Sequence, residues 1–268
     1  MRNPLRGKEH RLSIHPTAII DPGASVDADV EIGAYAVIGK DVEIGAGTRI
    51  GAHAVILGPT SIGRDNRIFQ FVSLGDAPQD KKYAGERTRL SIGDRNTIRE
   101  FCTFNRGTVQ DAGVTNIGHD NWIMAYAHIA HDCQVGSNTI FANNATLGGH
   151  VHVGDHAILG GLTGVHQFVH VGAHSITAAG TVLLQDLPPY VMAGGNTAKP
   201  YGINAEGLKR RGFSTEKIAE IKRAYKILYK AGLTFAEATA QIASAAAACP
   251  ELQVLVDFFA SARRGIIR

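Results

Sequence analysis

EIGAYAVIGKDVEIGAGTRIGAHAVI, residues 31–56, places an isoleucine at every sixth position: Ile32, Ile38, Ile44, Ile50 and Ile56. The first four are each followed by glycine. The register extends in both directions, from Ile14, Ile20 and Val26 to Ile62, Ile68 and Leu74, without a miss. A period of six fits neither a 3.6-residue helix nor one long strand. It marks a chain wound into short strands and tight turns around a single axis, a hexapeptide β-helix. Three hexads make one triangular coil, and successive coils stack at about 4.8 Å. Residues one coil apart in sequence therefore share a column in space.

Ile92, Ile98 and Phe104 keep the original phase after a charged segment, GDAPQDKKYAGERTRLS, which reads as an excursion at about 75–91. A second excursion, at about 106–116, shifts the phase by one residue. The hexad resumes at Ile117 and runs through Ile123, Ile129, Val135, Phe141, Leu147, Val153, Leu159, Val165, Val171 and Thr177 to Leu183. Two residues before these stand small or β-branched side chains such as Ala127, Cys133, Thr139, Ala145 and Val151. Strand alternation turns both positions inward. The pattern predicts an all-β solenoid over 12–190 and a C-terminal α-helical domain over 203–268. Ser214 is an N-cap for a helix over 215–231, with Gly232 as its stop. Thr234-x-x-Glu237 is a capping box opening an Ala-rich helix that ends before Pro250. A third helix is expected over 251–262. A helical domain at the end of a solenoid covers strand edges that would otherwise lie open.

The 268 residues suffice for a sizeable core, and 31 glycines with a single tryptophan suit stacked coils. The formal charge of +3 points to an anionic ligand rather than to bulk nucleic-acid binding. The stretch from Met1 to Arg11 is basic and lacks the apolar core of a signal peptide. No segment approaches the apolar length of a membrane span. Three widely separated cysteines, Cys102, Cys133 and Cys249, argue against a disulfide framework or a thiolate zinc site and for a reducing cytoplasm.

Nine of the 12 histidines lie between His119 and His174. One coil on from His131 comes Gly149, beside His150; the next coil brings Gln167, beside His166. His131, His150 and His166 are thus expected near one edge of three successive coils, with His128 and Asp132 close to the lowest. Three readings stand side by side. The histidines are tolerated turn residues; or they hold a metal, as three histidines do in solenoid enzymes such as the γ-class carbonic anhydrases; or one acts as a general base, with an acid fixing its tautomer and a backbone N–H stabilising an oxyanion. No Ser or Cys pairs evidently with a histidine, so in the third reading the attacking oxygen comes from the substrate.

Five segments carry a resemblance: QDKKYAGE (79–86), AYAHIAHDC (125–133), NNATLGGHV (143–151), GVHQF (164–168) and NAEGLKRRGF (204–213). In order and over nearly the whole chain, it resembles the UDP-N-acetylglucosamine O-acyltransferases of bacterial lipid A biosynthesis. The resemblance implies a left-handed parallel β-helix with a helical C-terminal domain, assembled as a homotrimer with its sites in clefts between subunits. Handedness comes from the resemblance alone, since most parallel crossovers are right-handed. The implied reaction moves an (R)-3-hydroxyacyl group from acyl carrier protein to the glucosamine 3-hydroxyl, with no metal and no cofactor beyond the donor's phosphopantetheine.

Carried over by residue, His131 is the general base, Asp132 supports its imidazole, the Gly149 N–H forms the oxyanion hole and His150 helps to hold the substrate. Asp80 would bind the glucosamine hydroxyls. Gln79, Lys82, His128, His166 and Gln167 would line the same cleft. Asn204, Glu206, Arg210 and Arg211 would contact the nucleotide or the pantetheine arm, arginine being suited to diphosphates. Ala178 and Ala179 fall where the family sets the depth of its acyl groove. Glycine is usual at the second position in long-chain members, and alanine still leaves room for a long chain. The related sugar-nucleotide N-acyltransferase carries a further domain before its solenoid, whereas these hexads begin by Ile14. A structural or ice-binding solenoid would need flat, unbroken columns, which the two charged excursions interrupt.

Overall fold

A computed structural model describes residues 14–262 and 264–268. The basic stretch to Arg11 and the expected solenoid start at position 12 lie outside the described residues. Strands of mostly two residues follow one another around a three-sided coil and form three sheets of nine, eight and ten strands, parallel except for the last strand of the third. Registers such as Ile19↔Val37, Ser25↔Glu43 and Glu31↔Arg49 step one coil at a time. The inward residues are buried as the pattern requires: Ile38, Ile56, Ile98, Phe104, Ile129 and Leu147 have at most 1% of their surface exposed. Ala127, Cys133, Thr139, Ala145 and Val151 alternate with them and are also buried. Small side chains at these positions let the three walls of a narrow prism close without a void.

Each coil turns three corners, and the chain passes many of them in the left-handed αL conformation. Tyr35, His53, Phe71, Phe101 and Tyr126 have φ of 56–66° at the first corner, between the ten- and nine-stranded sheets. Asp132, His150 and Phe168 have φ of 60–65° at the second, between the nine- and eight-stranded sheets. His156, His174 and Tyr190 have φ of 59–69° at the third. Non-glycine residues enter this region at a steric cost. Here the repeated inter-coil hydrogen bonds over-determine the backbone, as in His150 N–H to His131 O and Phe168 N–H to Gly149 O.

The two excursions are where the 18-residue step fails. Ser73 pairs with Thr103 and Thr103 with His128, steps of 30 and 25 residues. The first insertion is thus a whole number of hexads and preserves phase, while the second exceeds one hexad by a residue and shifts it. The loops themselves are shorter than the sequence implies. Ser73–Asp76, Arg89–Ile92 and Val114–Ile117 remain strands, because their backbones still find ladder partners. The Arg106 guanidinium ties the first loop to the coil before it, donating to the Gly58 and Gly75 carbonyls and to the Tyr83 hydroxyl.

Past Leu183 the chain makes an antiparallel pair, Val191–Gly194 with Lys199–Ile203, and enters four helices: α1 (Ala205–Arg210), α2 (Thr215–Lys230), α3 (Phe235–Ala246) and α4 (Gln253–Ser261). Ser214 caps α2, and Thr234 with Glu237 forms the capping box of α3. The segment expected as one helix from 251 opens as a 3₁₀ turn, Pro250–Leu252, before α4 begins. The short α1 has Asn204 as its cap, whose side chain accepts from Gly207 N–H. Leu208, Ile221, Leu228, Ile242, Leu255 and Phe258 form the helical core, which includes Tyr190 from the last coil. No helix among the described residues is long and apolar enough to cross a membrane.

Candidate active site

The second corner gathers the polar groups. His131 Nδ1 lies 2.9 Å from Asp132 Oδ2. An ionised carboxylate only accepts, so the proton sits on Nδ1 and Nε2 presents a bare lone pair. Asp132 is 1% exposed, and its oxygens also accept from the Thr108 N–H (2.8 Å) and the Thr108 hydroxyl (2.6 Å). Burial pulls this carboxyl up, but the hydrogen bonds from His131 and Thr108 outweigh burial and leave it below the usual carboxylate range. A charged Asp132 thus fixes both the orientation and the tautomer of His131.

Gly149 stands one coil above His131. A Cβ there would lie 2.6 Å from the His131 Cε1 and 2.7 Å from its Nε2, so only glycine leaves the ring in place. The flanking amides of Gly148 and His150 donate to the Val165 and His131 carbonyls. Among the described residues the Gly149 N–H has no such partner. The His150 ring meets His131 edge-on at 5.0 Å and stacks on Phe168 at 4.4 Å. Its Nδ1 lies 2.8 Å from Asp111 Oδ2.

An open cleft of about 740 Å³ lies against this corner. It is lined by Gln79, Asp80, Lys81 and Lys82 from the first excursion, Gln110 and Asp111 from the second, and His131, His150, Gln167 and Phe168 from the corner. Asp80 folds its loop as well as facing the cleft, its Oδ1 accepting from the Lys82 N–H. Gln79, Asp80, Lys82, His131, His150 and Gln167, expected together, are thus brought together. Lys81, Gln110, Asp111 and Phe168 are additions. Phe168 is one coil on from His150, so the same counting reaches it, and it stands in the cleft where His166 is expected. His166 lies two residues earlier and is exposed, and its Nδ1–H meets the Gln167 carbonyl outside the cleft. Asp132 and Gly149 form the cleft's inner support. His128 points from the nine-stranded sheet, bonds the Thr103 hydroxyl at 2.7 Å, and has its pKa lowered by burial and by the neighbouring His131.

Four expected residues lie at a different corner. The Asn204 amide donates to the His174 carbonyl, and Arg211 donates to the His156 carbonyl, so both are tied to the third corner. Burial holds the Arg211 guanidinium below its usual pKa. Glu206 and Arg210 are exposed on α1. Ala178 and Ala179 are exposed near the first corner, next to Gly180.

His131, Asp132 and His150 form the group of described residues whose ligand atoms could share a metal ion, all within 4.8 Å of one another. The donor set fits poorly. Both Asp132 oxygens already accept hydrogen bonds, and the His131 nitrogen nearest to them carries a proton.

Residues 186–267 match the family model described as UDP-N-acetylglucosamine O-acyltransferase, domain 2, and residues 115–149 match the bacterial transferase hexapeptide model of six repeats. The acyl-(acyl-carrier-protein)–UDP-N-acetylglucosamine O-acyltransferase of Thiobacillus denitrificans is 67% identical over 96% of this chain and 99% of its own. That of Herminiimonas arsenicoxydans is 60% identical over 95% and 99%. The solved structure of LpxA from Acinetobacter baumannii is 50% identical and superimposes with a TM-score of 0.93, covering 96% of this chain and 100% of that one. Likeness of this degree makes the solenoid a left-handed parallel β-helix. With such identity sustained along nearly its whole length, the chain belongs to the acyl-(acyl-carrier-protein)–UDP-N-acetylglucosamine O-acyltransferase family.

Proposed function

We propose that this enzyme transfers an (R)-3-hydroxyacyl group from acyl carrier protein to the glucosamine 3-hydroxyl of UDP-N-acetylglucosamine, the first step of lipid A biosynthesis, in the cytoplasm. The observation that carries the mechanism is the buried Asp132 carboxylate on His131 Nδ1, which leaves Nε2 free as a base facing the cleft. His131 Nε2 takes the proton of the sugar hydroxyl as that oxygen attacks the thioester carbon. The Gly149 N–H receives the negative charge that develops on the carbonyl oxygen. Collapse breaks the carbon–sulfur bond, and the departing pantetheine sulfur takes the proton from His131. No acyl-enzyme forms. Asp80 and Lys82 hold the sugar and its phosphates with Gln79, Gln167 and His150, while Ala178 and Ala179, at the first corner, leave room for a long acyl chain where a neighbouring subunit completes the cleft.

The enzyme acts as a homotrimer. Asn204, Glu206, Arg210 and Arg211 sit at the third corner of this chain, so they serve a second-corner cleft from a neighbouring subunit, where they meet nucleotide or pantetheine. Large exposed apolar groups favour such an assembly: Tyr35, Phe71, Phe101, Tyr126 and Leu162 at the first corner, and Trp122 on the ten-stranded sheet. His128 and His166 then line the cleft between subunits.

His131→Ala is expected to lower turnover on the order of 10²-fold or more, measured as acylated sugar nucleotide formed from UDP-N-acetylglucosamine and a hydroxyacyl carrier protein. Near-normal turnover would remove His131 from the role of base. The proximity of His131, Asp132 and His150 gives the metal reading its one support. Exhaustive chelation is expected to leave the rate unchanged. Loss on chelation with recovery on adding zinc would favour the metal instead.

A further inference from the structure

The second excursion does more than interrupt the repeat. Two of its side chains end on two different groups of the second corner. Thr108 grips Asp132, as described, and Asp111 reaches His150. Asp111 Oδ1 accepts from the N–H of its own neighbour, Ala112, at 2.9 Å, which turns Oδ2 toward the imidazole. His150 Nδ1 lies 2.8 Å from that oxygen, within the range of a charge-assisted hydrogen bond. The side chain of His150 is 12% exposed and that of Asp111 48%, so the bond closes one side of the ring while the carboxylate stays at the cleft. On its opposite edge, Nε2 stands 3.8 Å from Asp132 Oδ2, too far for a hydrogen bond. Phe168 stacks on one face of the ring. The ring's plane is therefore set by Phe168, and its rotation within that plane and its tautomer by Asp111.

We infer that Asp111 is a positioning residue for the acyl-transfer reaction. It holds His150 with the proton on Nδ1, and so fixes the ring edge-on to His131 with Nε2 on the Asp132 side, at the wall of the cleft. Asp111 and Asp132 are then parallel devices, each an acid that orients one histidine, and one inserted loop supplies Asp111 itself and the clamp on Asp132. The inference rests on the proposed part of His150 in holding substrate.

The test is a double-mutant cycle on the full-length enzyme, with kcat and KM for the sugar nucleotide read for Asp111→Ala, Asp111→Asn, His150→Ala and Asp111→Ala/His150→Ala, and thermal midpoints alongside. Asp111→Ala is expected to lower kcat/KM by about tenfold, within the range of a lost hydrogen bond to a charged group, with its midpoint unchanged. Asp111→Asn, which can still accept from Nδ1–H, recovers part of that loss. In the His150→Ala background, removing Asp111 changes nothing beyond about twofold. Wild-type kinetics in Asp111→Ala, beside a damaged His150→Ala, overturn the role of Asp111 alone. Equal losses from Asp111→Ala with and without His150 also overturn it, since Asp111 then acts elsewhere. A fully active His150→Ala overturns the reading of His150 on which the inference rests. Should Asp111→Ala unfold, the cycle is run with Asp111→Leu, which is of similar size and cannot accept from Nδ1–H, and the same outcomes decide.

Discussion

Two corners of one solenoid are built alike and have different contents. At the first, Tyr35, His53, Phe71, Phe101 and Tyr126 all sit in αL and stack nearly flat, with ring centroids 4.9–5.2 Å apart. At the second, Asp132, His150 and Phe168 occupy the same conformation at the same spacing, but His131 meets His150 at 89° instead of lying flat on it. The backbone device is shared. What differs is what reaches in from the side. The first corner has rings above and below rings, and they satisfy one another by stacking. The second has Thr108 and Asp111 on its hydrogen-bonding nitrogens and oxygens, delivered by a loop the repeat does not specify. A solenoid supplies columns at a fixed spacing, and chemistry enters where an insertion breaks the column's monotony.

The largest test of this contrast uses two equivalent glycines. Gly149 immediately precedes the αL residue His150, and Gly161 immediately precedes the αL residue Leu162 at the first corner. A Cβ on Gly161 meets only the Asn143 carbonyl oxygen, at an ordinary 3.5 Å. A Cβ on Gly149 drives into the His131 ring. Gly149→Ala is therefore expected to lower kcat by about 10²-fold, the scale of a lost oxyanion donor or a displaced base. Gly161→Ala should leave folding stability within about 0.5 kcal/mol. Rate assays on the first and thermal melts on both check this. A Gly149→Ala enzyme that turns over normally would mean the two corners differ only in appearance.

How much of this was legible in the chain follows from the same contrast. Ile32 to Ile56 revealed the coil because inward burial forces one aliphatic residue per hexad, a rule that admits few substitutes. Counting one coil from His131 to Gly149 found the central pair of the site, and the same count applied to His150 leads to Phe168. Adjacency to Gln167 points to His166, but His166 stands one residue off that column, before the turn, and its exposed ring meets the Gln167 carbonyl outside the cleft. Thr108 and Asp111 were invisible for a physical reason: a loop without a period has no column, and its contacts depend on a path that only the folded chain defines. Helix α1 escaped because six residues cannot display an amphipathic stripe, although Asn204 followed by Ala205 and Glu206 carries a cap with an acid in the first turn.

The third corner tests whether a histidine inside a stack can also be a liability. His174 lies between His156 (4.8 Å) and Tyr190 (5.5 Å), with Phe213 edge-on. Burial, then the charges of His156 and Arg211, push its pKa down to about 4, against a smaller opposing pull from Asp155. In the unfolded chain the same group titrates near 6.5. Between those values the unfolded state binds more protons, so acid favours unfolding. The stability contributed by neutral His174 is complete above about pH 6.5 and is lost as pH falls toward 4. Thermal midpoints are expected to decline from pH 7 to 5, and His174→Phe, which keeps a ring in the stack, should decline less steeply. Identical slopes for the two proteins would remove His174 as the cause.

The smallest effect belongs to the first corner. Phe101 is stacked on both faces, by Phe71 at 5.2 Å and Tyr126 at 4.9 Å, and is 44% exposed. Its ring is not on a hydrogen-bonded path to His131, and the cleft lining does not include it. Aromatic pairs contribute about 0.5–1.5 kcal/mol beyond the area they bury, and an exposed pair belongs at the lower end of that range. Phe101→Ala is thus expected to destabilise folding by about 1 kcal/mol, read from chemical denaturation, with kcat at high protein concentration within about twofold of wild type. If neighbouring subunits pack against this ladder, the variant shows itself differently: specific activity falls on dilution while the rate at high concentration holds. A kcat loss comparable to that of Gly149→Ala at every concentration would show that the ladder takes part in the chemistry, and the division between a stacking corner and a reacting corner would fail.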